Sequence, residues 1–306
     1  MKSVVVIGSS NTDMVIRTKK APVGGETVLG GGFLMVPGGK GANQAVAAVK
    51  AGARVIFVSK LGEDIFGDRS LANFKKEGLD TRFVSRDKKE PSGVAIITVD
   101  EKAQNSIVVA LGANSKLLPP DIKKAETEIK KAACVVLQQE MPEKTVAYVL
   151  KLASGYKVPV IFNPAPARKI PVSLFKSVYM LNPNETETKI LTGIKPTDTA
   201  SARKAGAKLM SFGVKHVIIT MGKKGVFACG KGFEMQVPAF KVKAVDTTAA
   251  GDAFTGGFAA AFAEKKDFYE CVKFGSAVAA LTVTKMGAQS SLPSRTEIRK
   301  FLSKKK

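Results

Sequence analysis

Asp246-Thr247-Thr248-Ala249-Ala250-Gly251-Asp252-Ala253-Phe254-Thr255-Gly256-Gly257-Phe258 is the stretch whose reading decides the fold. Residues 242–245 before it read as the end of a short apolar strand, and the Ala, Gly and Phe residues within it read as the start of a buried helix. That places residues 249–252 at a helix N-terminus, where backbone N–H groups have no intrahelical partner. Those amides and the helix dipole suit an anion, and the small side chains leave the backbone open to a phosphate. Asp252 then has two readings. It caps the helix, or it is the general base for a hydroxyl attacking that phosphate. A carboxylate beside a phosphate is counterproductive for binding alone, so the rest of the chain must decide.

Working outward, residues 2–7 form a β-branched run that ends at Gly8, the pattern of a strand buried on both faces. Similar runs at 55–59, 134–138, 158–162, 179–181 and 217–219 alternate with helical patterns at about 42–51, 68–77, 143–154 and 200–212. This rhythm predicts a parallel sheet covered by helices on both faces. Residues 14–17, 28–36, 94–99 and 105–111 alternate apolar and polar, and predict a small antiparallel flap whose second hairpin turns at Asp100-Glu101-Lys102.

Polar signatures fall at the strand ends. Asn11 and Asp13 follow the first strand, and Glu140, Asn163, Asn184 with Glu187, Thr220 with Gly222, and Asp252 follow later ones. Ligands of open α/β sheets bind beyond the carboxyl ends of the strands, so these groups share one edge where a site is expected. Singly, Asn11 and Asp13 also fit an Asx turn. Separate turns and caps do not explain the whole set, and this favours the base reading of Asp252. Gly38-Gly39-Lys40-Gly41-Ala42-Asn43-Gln44 opens a helix without the spacing of a P-loop, yet brings a Lys and an Asn to its start.

Composition excludes several classes. The 306 residues are 45% hydrophobic and 24% charged, which suits a globular α/β domain. No apolar run approaches the roughly 20 residues that span a bilayer, and no targeting segment is read at the N-terminus. Cys134, Cys229 and Cys271 lack metal spacing and read as reduced thiols. The single histidine, His216, reads as a packed residue at a strand edge. The net charge of +22 is spread over doublets such as Lys19-Lys20 and Lys223-Lys224 and a tail at 304–306. This favours a solvated basic surface over a nucleic-acid partner, and its field draws anionic nucleotides inward.

From Gly8 to about Pro293 the chain resembles the PfkB family of carbohydrate kinases. The resemblance rests on Gly8-Ser9-Ser10-Asn11-Thr12-Asp13, the 38–44 glycine segment, Asn163-Pro164-Ala165-Pro166-Ala167, Asn182-Pro183-Asn184-Glu185-Thr186-Glu187, the 246–252 stretch and Gly287-Ala288-Gln289-Ser290-Ser291. The glycine turn alone is weak, but the ordered set is specific. The resemblance implies one ribokinase-like α/β domain over 1–306, with a mostly parallel sheet between helices and a β-sheet lid formed by about 12–36 and 92–111. It implies ATP-dependent phosphorylation of D-ribose at O5, with Asp252 as base. Asn11, Thr12, Asp13, Gly39, Lys40, Gly41, Asn43 and Glu140 would hold the sugar. Asn184, Thr220, Gly222, Gly225 and Gly251 would line the ATP site, and Ala249, Ala250 and Gly251 would form the anion hole.

By the same resemblance, Asn184 and Glu187 would act on Mg2+ through water, although the local sequence equally permits Asn182 with Glu185. A K+ activator site would draw on Asp246, Thr248, Thr282, Lys285, Gly287 and Ser291, several through backbone carbonyls. The alternative is that Asp246 only caps its turn. A homodimer joined through the lids and a cytoplasmic location are further expectations, with the nucleus also open in a eukaryote. A related kinase of fructose, a nucleoside or a keto-sugar acid is the nearest alternative. A non-catalytic sugar or nucleotide sensor with a basic surface is more distant, since it needs no base.

Overall fold

The first strand, β1 (Val4–Ile7), is four apolar residues with no solvent exposure, and its alternation explains the layers. Val4 and Val6 belong to one core and Val5 and Ile7 to a second, so the sheet is buried on both faces. The computed structural model describes residues 2–101, 104–168 and 170–304. Lys102 of the expected hairpin turn and Lys305-Lys306 of the basic tail lie outside the described residues.

In chain order the elements after β1 are β2 (Asn11–Arg17), β3 (Phe33–Gly38), α1 (Lys40–Lys50), β4 (Val55–Gly62), α2 (Ile65–Lys76), β5 (Asp80–Asp87), β6 (Gly93–Val99) and β7 (Asn105–Ala110). Then come α3 (Pro119–Lys124), α4 (Glu126–Lys131), β8 (Cys134–Leu137), α5 (Glu143–Gly155), β9 (Val160–Phe162), β10 (Met180–Leu181), α6 (Glu185–Thr192) and α7 (Thr199–Ser211). The chain closes with β11 (His216–Thr220), β12 (Val226–Gly230), β13 (Phe233–Val237), α8 (Ala250–Ala263), α9 (Phe268–Thr282) and α10 (Arg295–Ser303).

Among the described residues the large sheet has nine strands in the order β13-β12-β11-β10-β9-β8-β1-β4-β5. All pairs from β11 to β5 are parallel, and β12 and β13 join antiparallel at one edge. The mostly parallel α/β class expected from the sequence is therefore observed. From β1 the chain first winds outward through β4 to β5, then crosses back to β8 and winds the other way. The order reverses between β1 and β8, which opens a crevice at their carboxyl ends. Helices α1, α8 and α9 pack on the Val4/Val6 face, while α3, α4, α5 and α7 pack on the Val5/Ile7 face.

A second sheet, β3-β2-β6-β7, grows out of that crevice. It is not purely antiparallel as expected. β2 and β6 run parallel from Asn11↔Gly93 to Arg17↔Val99, because each leaves the crevice in the same direction. Its 28–36 segment becomes strand only from Phe33, since Gly30-Gly31-Gly32 weakens pairing. Residues 242–245 form no strand either. They are irregular backbone in which Val245 and Asp246 donate to the carbonyl of Val283 beyond α9, at 2.7 and 3.2 Å. α2 starts at Ile65, earlier than expected, because Asp64 caps it by accepting from the Gly67 amide at 2.8 Å. β5 and β13 gave no clear signal because they are half-polar strands at the sheet edges, whereas β12 is short, apolar and buried between β13 and β11. His216 packs among Tyr179, Phe233 and Phe268, as its strand-edge reading implied, and burial lowers its pKa.

Candidate active site

The crevice at the end of β1 is built from segments that approach so closely that side chains are excluded. Gly39, the residue before α1, has φ 87°, and a Cβ there would lie 2.6 Å from the Asn11 amide nitrogen. A Cβ on Gly38 would lie about 2.1 Å from the carboxylate of Asp13. The glycine turn thus lets the start of α1 slide under β2, bringing Lys40 beside Asp13. Asn11 and Asp13 are two apart on β2 and share a face. Thr12 alternates to the other face, so its side chain is not brought to the crevice with theirs. The Asn11 side-chain carbonyl accepts from Nδ2 of Asn114 at 2.9 Å.

Glu140, just beyond β8, faces the same point. Its Oε2 accepts from the Ser9 hydroxyl at 2.6 Å and from the Lys40 amide at 3.0 Å, so the carboxylate rests on the N-terminus of α1. Lys40 faces the carboxylates of Asp252, Glu140, Glu187 and Asp13. Asp252 raises its pKa most, with Glu140, Glu187 and Asp13 acting in the same direction against burial. Asp13 is held in the opposite condition. Burial, reinforced by Glu140 and Asp252, pushes its carboxyl up to about 7 despite Lys40. Burial also raises Glu187.

Asp252 sits in the first turn of α8, 6% exposed, with amide donors on both oxygens: Gln44 Nε2 at 2.8 Å on Oδ1 and Asn43 Nδ2 at 3.1 Å on Oδ2. Its side chain is therefore engaged across the crevice by α1. Ala249 precedes the helix in the left-handed region at φ 59°, a strained state for a residue with a Cβ and one found at functional turns. The Ala250 amide donates to the Thr247 carbonyl at 3.2 Å, so it is already used within the turn. Gly251 and Asp252 supply the first-turn amides without an intrahelical acceptor. A Cβ on Gly251 would meet nothing within 4 Å, so the backbone there opens onto free space.

That space is a cleft of about 200 Å3 lined by Lys40, Asn163, Ala165, Asn182, Asn184, Glu187, Thr220, Thr247 and residues 249–252. Asn182 donates to Thr255 Oγ1 at 2.8 Å, and Thr255 donates to the Gly251 carbonyl, so the end of β10 anchors the first turn of α8. Glu185 is absent from the cleft wall, whereas Asn184 and Glu187 lie on it, joined in a capping box. The cleft brings Thr220 to this group but not Gly222 or Gly225. Gly225 is buried in its turn, where a Cβ would be 2.1 Å from the Val237 carbonyl.

Of the residues expected at a cation site, Asp246 bridges two segments. Oδ1 accepts from the amide and hydroxyl of Thr248, and Oδ2 accepts from the Gly287 amide at 2.9 Å. Thr282 and Ser291 hydroxyls turn back to Val278 and Ala288 carbonyls, and Lys285 pairs with Glu297. Sequence reading missed Ser9, Gln44, Asn114, Gln138 and Gln289, whose partners lie far away in the chain. Among the described residues no group of three or more His, Cys, Asp or Glu could cage a metal, and no helix is long and apolar enough to cross a membrane.

A doubly wound sheet whose crevice pairs a lysine and carboxylates with an open helix N-terminus defines the small-molecule kinase class of α/β proteins. The model of the pfkB family carbohydrate kinases matches residues 1–295. A ribokinase of Haemophilus influenzae is 43% identical over 301 residues, covering 98% of each chain. A deoxyribokinase of Salmonella typhi is 40% identical, again covering 98% of each. The solved Arabidopsis thaliana ribokinase complexed with ribose and ATP superimposes with a TM-score of 0.92 at 34% identity, over 99% of each chain. The chain belongs to the PfkB family of carbohydrate kinases.

The Asp13 environment yields a pH dependence. The folded pKa of about 7 lies above the ordinary 3.8, so the unfolded chain releases the proton first. Stability is therefore lost as pH rises from about 4 to about 7, and the loss is complete above that. Asp13→Asn removes this term. Its gain in Tm over the parent, without ligands, should grow by roughly 5 °C between pH 5 and pH 7.5 and then level off. A difference that stays constant with pH would contradict the burial of a titrating Asp13.

Proposed function

We propose that the protein transfers the γ-phosphoryl group of ATP to O5 of D-ribose. The observation that carries this is the convergence of Asp13, Lys40, Glu140 and Asp252 on the first turn of α8, in a chain similar over nearly its full length to ribokinases. In this reading Asn11, Asp13, Asn43 and Glu140 engage sugar hydroxyls on the β2 side, with the 38–41 backbone beneath, while ATP lies in the cleft bounded by Asn184, Thr220 and Gly251. Asp252 accepts the O5 proton as that oxygen bonds to the γ-phosphorus and the bond to the β,γ-bridging oxygen breaks, releasing ADP. Lys40 and the α8 amides offset charge on the phosphoryl group. Magnesium arriving with ATP would offset phosphate charge, and Glu187 and Asn184 would hold its waters.

The β2–β3–β6–β7 sheet is rooted at the sugar side and would close over it as a lid, excluding water that would otherwise be phosphorylated. Buried free thiols at 134, 229 and 271 fit a reducing cytoplasm. 2-Deoxyribose is the second reading, favoured by the similarity to deoxyribokinases. A panel of ribose, 2-deoxyribose, fructose and adenosine with ATP tests the assignment. Ribose should release ADP fastest, and Asp252→Asn should lower that turnover by roughly two orders of magnitude or more with sugar and ATP binding retained. Near-parent turnover in Asp252→Asn would remove the base from this account.

The lid face away from Asp13 carries Met14, Ile16, Phe33, Met35, Ile96 and Val108 in register. Phe33 and Val108 are 53% and 71% exposed. An apolar sheet face with open edges calls for a cover, and a second copy of the lid supplies one. Sedimentation at micromolar concentration should show a dimer, and Val108→Lys should shift it to monomer. A parent that sediments only as a monomer argues against this.

A potassium ion among the carbonyls of the 246–248 and 285–291 segments would tighten what Asp246 already joins. Replacing sodium by potassium at fixed magnesium should raise kcat several-fold, and Asp246→Ala should lose most of that response. Indifference to the exchange leaves Asp246 as a structural bridge.

A further inference from the structure

We infer that Gln44, set by Gln138, is a positioning residue that holds Asp252 in the orientation for proton acceptance. The inference deepens the reading of Asp252 as the base and rests on it. Both glutamines are fully buried. Gln138 Nε2 donates to Gln44 Oε1 at 2.7 Å, and Gln44 Nε2 donates to Asp252 Oδ1 at 2.8 Å and to Asn163 Oδ1 at 3.2 Å. A primary amide has one accepting and one donating end, and it can sit two ways about its last torsion. The wrong way would turn an oxygen toward the carboxylate of Asp252. Asn163, whose Nδ2 donates to the Asn182 carbonyl at 3.0 Å, leaves only its oxygen for the nitrogen end of Gln44, and Gln138 occupies the oxygen end.

The chain of amides also distinguishes the two oxygens of Asp252. Oδ1 is held by a buried donor that substrate cannot displace, while Oδ2 has the longer bond at 3.1 Å, from Asn43. Oδ2 is therefore the oxygen that takes the proton, while Asn43, whose Oδ1 accepts from Gln289 Nε2 at 3.1 Å, keeps its amide nitrogen on that side. Gly8 belongs to the same device. A Cβ on Gly8 would lie 2.0 Å from Gln138 Oε1, so β1 must be followed by glycine to admit the Gln138 side chain. A donor to a carboxylate favours its ionised form, so losing Gln44 should show in the pH dependence as well as in the rate.

Gln44→Met keeps the length and removes the donor. With ribose and ATP its kcat should fall roughly 10- to 100-fold, with both KM values within about threefold of the parent. The acid limb of its kcat–pH profile should move up by about one unit. Gln44→Glu, which still accepts from Gln138 but sets a second carboxylate against Asp252, should move the limb further. Gln138→Met should show a smaller change in the same directions, and it serves if Gln44→Met does not fold. An unshifted limb with kcat within twofold of the parent, in whichever of the two folds, overturns the inference. Asp252→Asn separates the two ideas: if it is active the base reading fails, and if it is inactive while Gln44→Met is normal only the positioning role fails.

Discussion

One ammonium group set among four carboxylates is the constraint on which the site depends. Lys40 is half-buried with Asp252, Glu140, Glu187 and Asp13 acting on it, and a charge so placed is tolerated because its partners surround it. The surrounding geometry serves that arrangement. The glycine turn lets α1 approach β2, Glu140 settles on the amide of Lys40, and α8 carries Asp252 in from the opposite side of the crevice. The carboxylates outnumber the ammonium, and burial beside Glu140 and Asp252 pushes the Asp13 carboxyl up to about 7.

The same excess of negative charge poses a difficulty for a nucleotide. Three features offset it: the open amides of Gly251 and Asp252, the counterion that travels with ATP, and the net charge of +22 on the chain as a whole. The last acts at a distance, drawing anions toward a cleft where Lys40 stands against the carboxylates of Glu187 and Asp252. A strongly positive surface around a locally negative pocket is therefore consistent with steering a nucleotide, and it does not require a nucleic-acid partner.

Much of this was legible in the sequence, for identifiable reasons. The run at 4–7 had to be a doubly buried strand because every residue is apolar and β-branched, and the 249–258 stretch read as the start of a buried helix because small Ala and Gly residues are interleaved with Phe254 and Phe258. Asn11 and Asp13 were readable as a same-face pair from their spacing. Thr12 was not excluded until β2 was known to be extended through it. The amides that hold Asp252 were invisible, since Gln44 and Gln138 are 94 positions apart and Gln44 and Asp252 are 208 apart. No local pattern reports such contacts. The parallel pairing of β2 with β6 was hidden likewise, because alternation within a strand does not reveal the direction of its neighbour.

The account stands on one claim: the first turn of α8 and the carboxylate within it deliver a phosphoryl group to a sugar hydroxyl. Phosphorus-31 NMR of the product formed from ATP and ribose tests this most directly. The account predicts a phosphomonoester resonance coupled to the two C5 protons of ribose, in amounts equal to the ADP formed. Phosphate free in solution, or attached at the anomeric carbon, would contradict it.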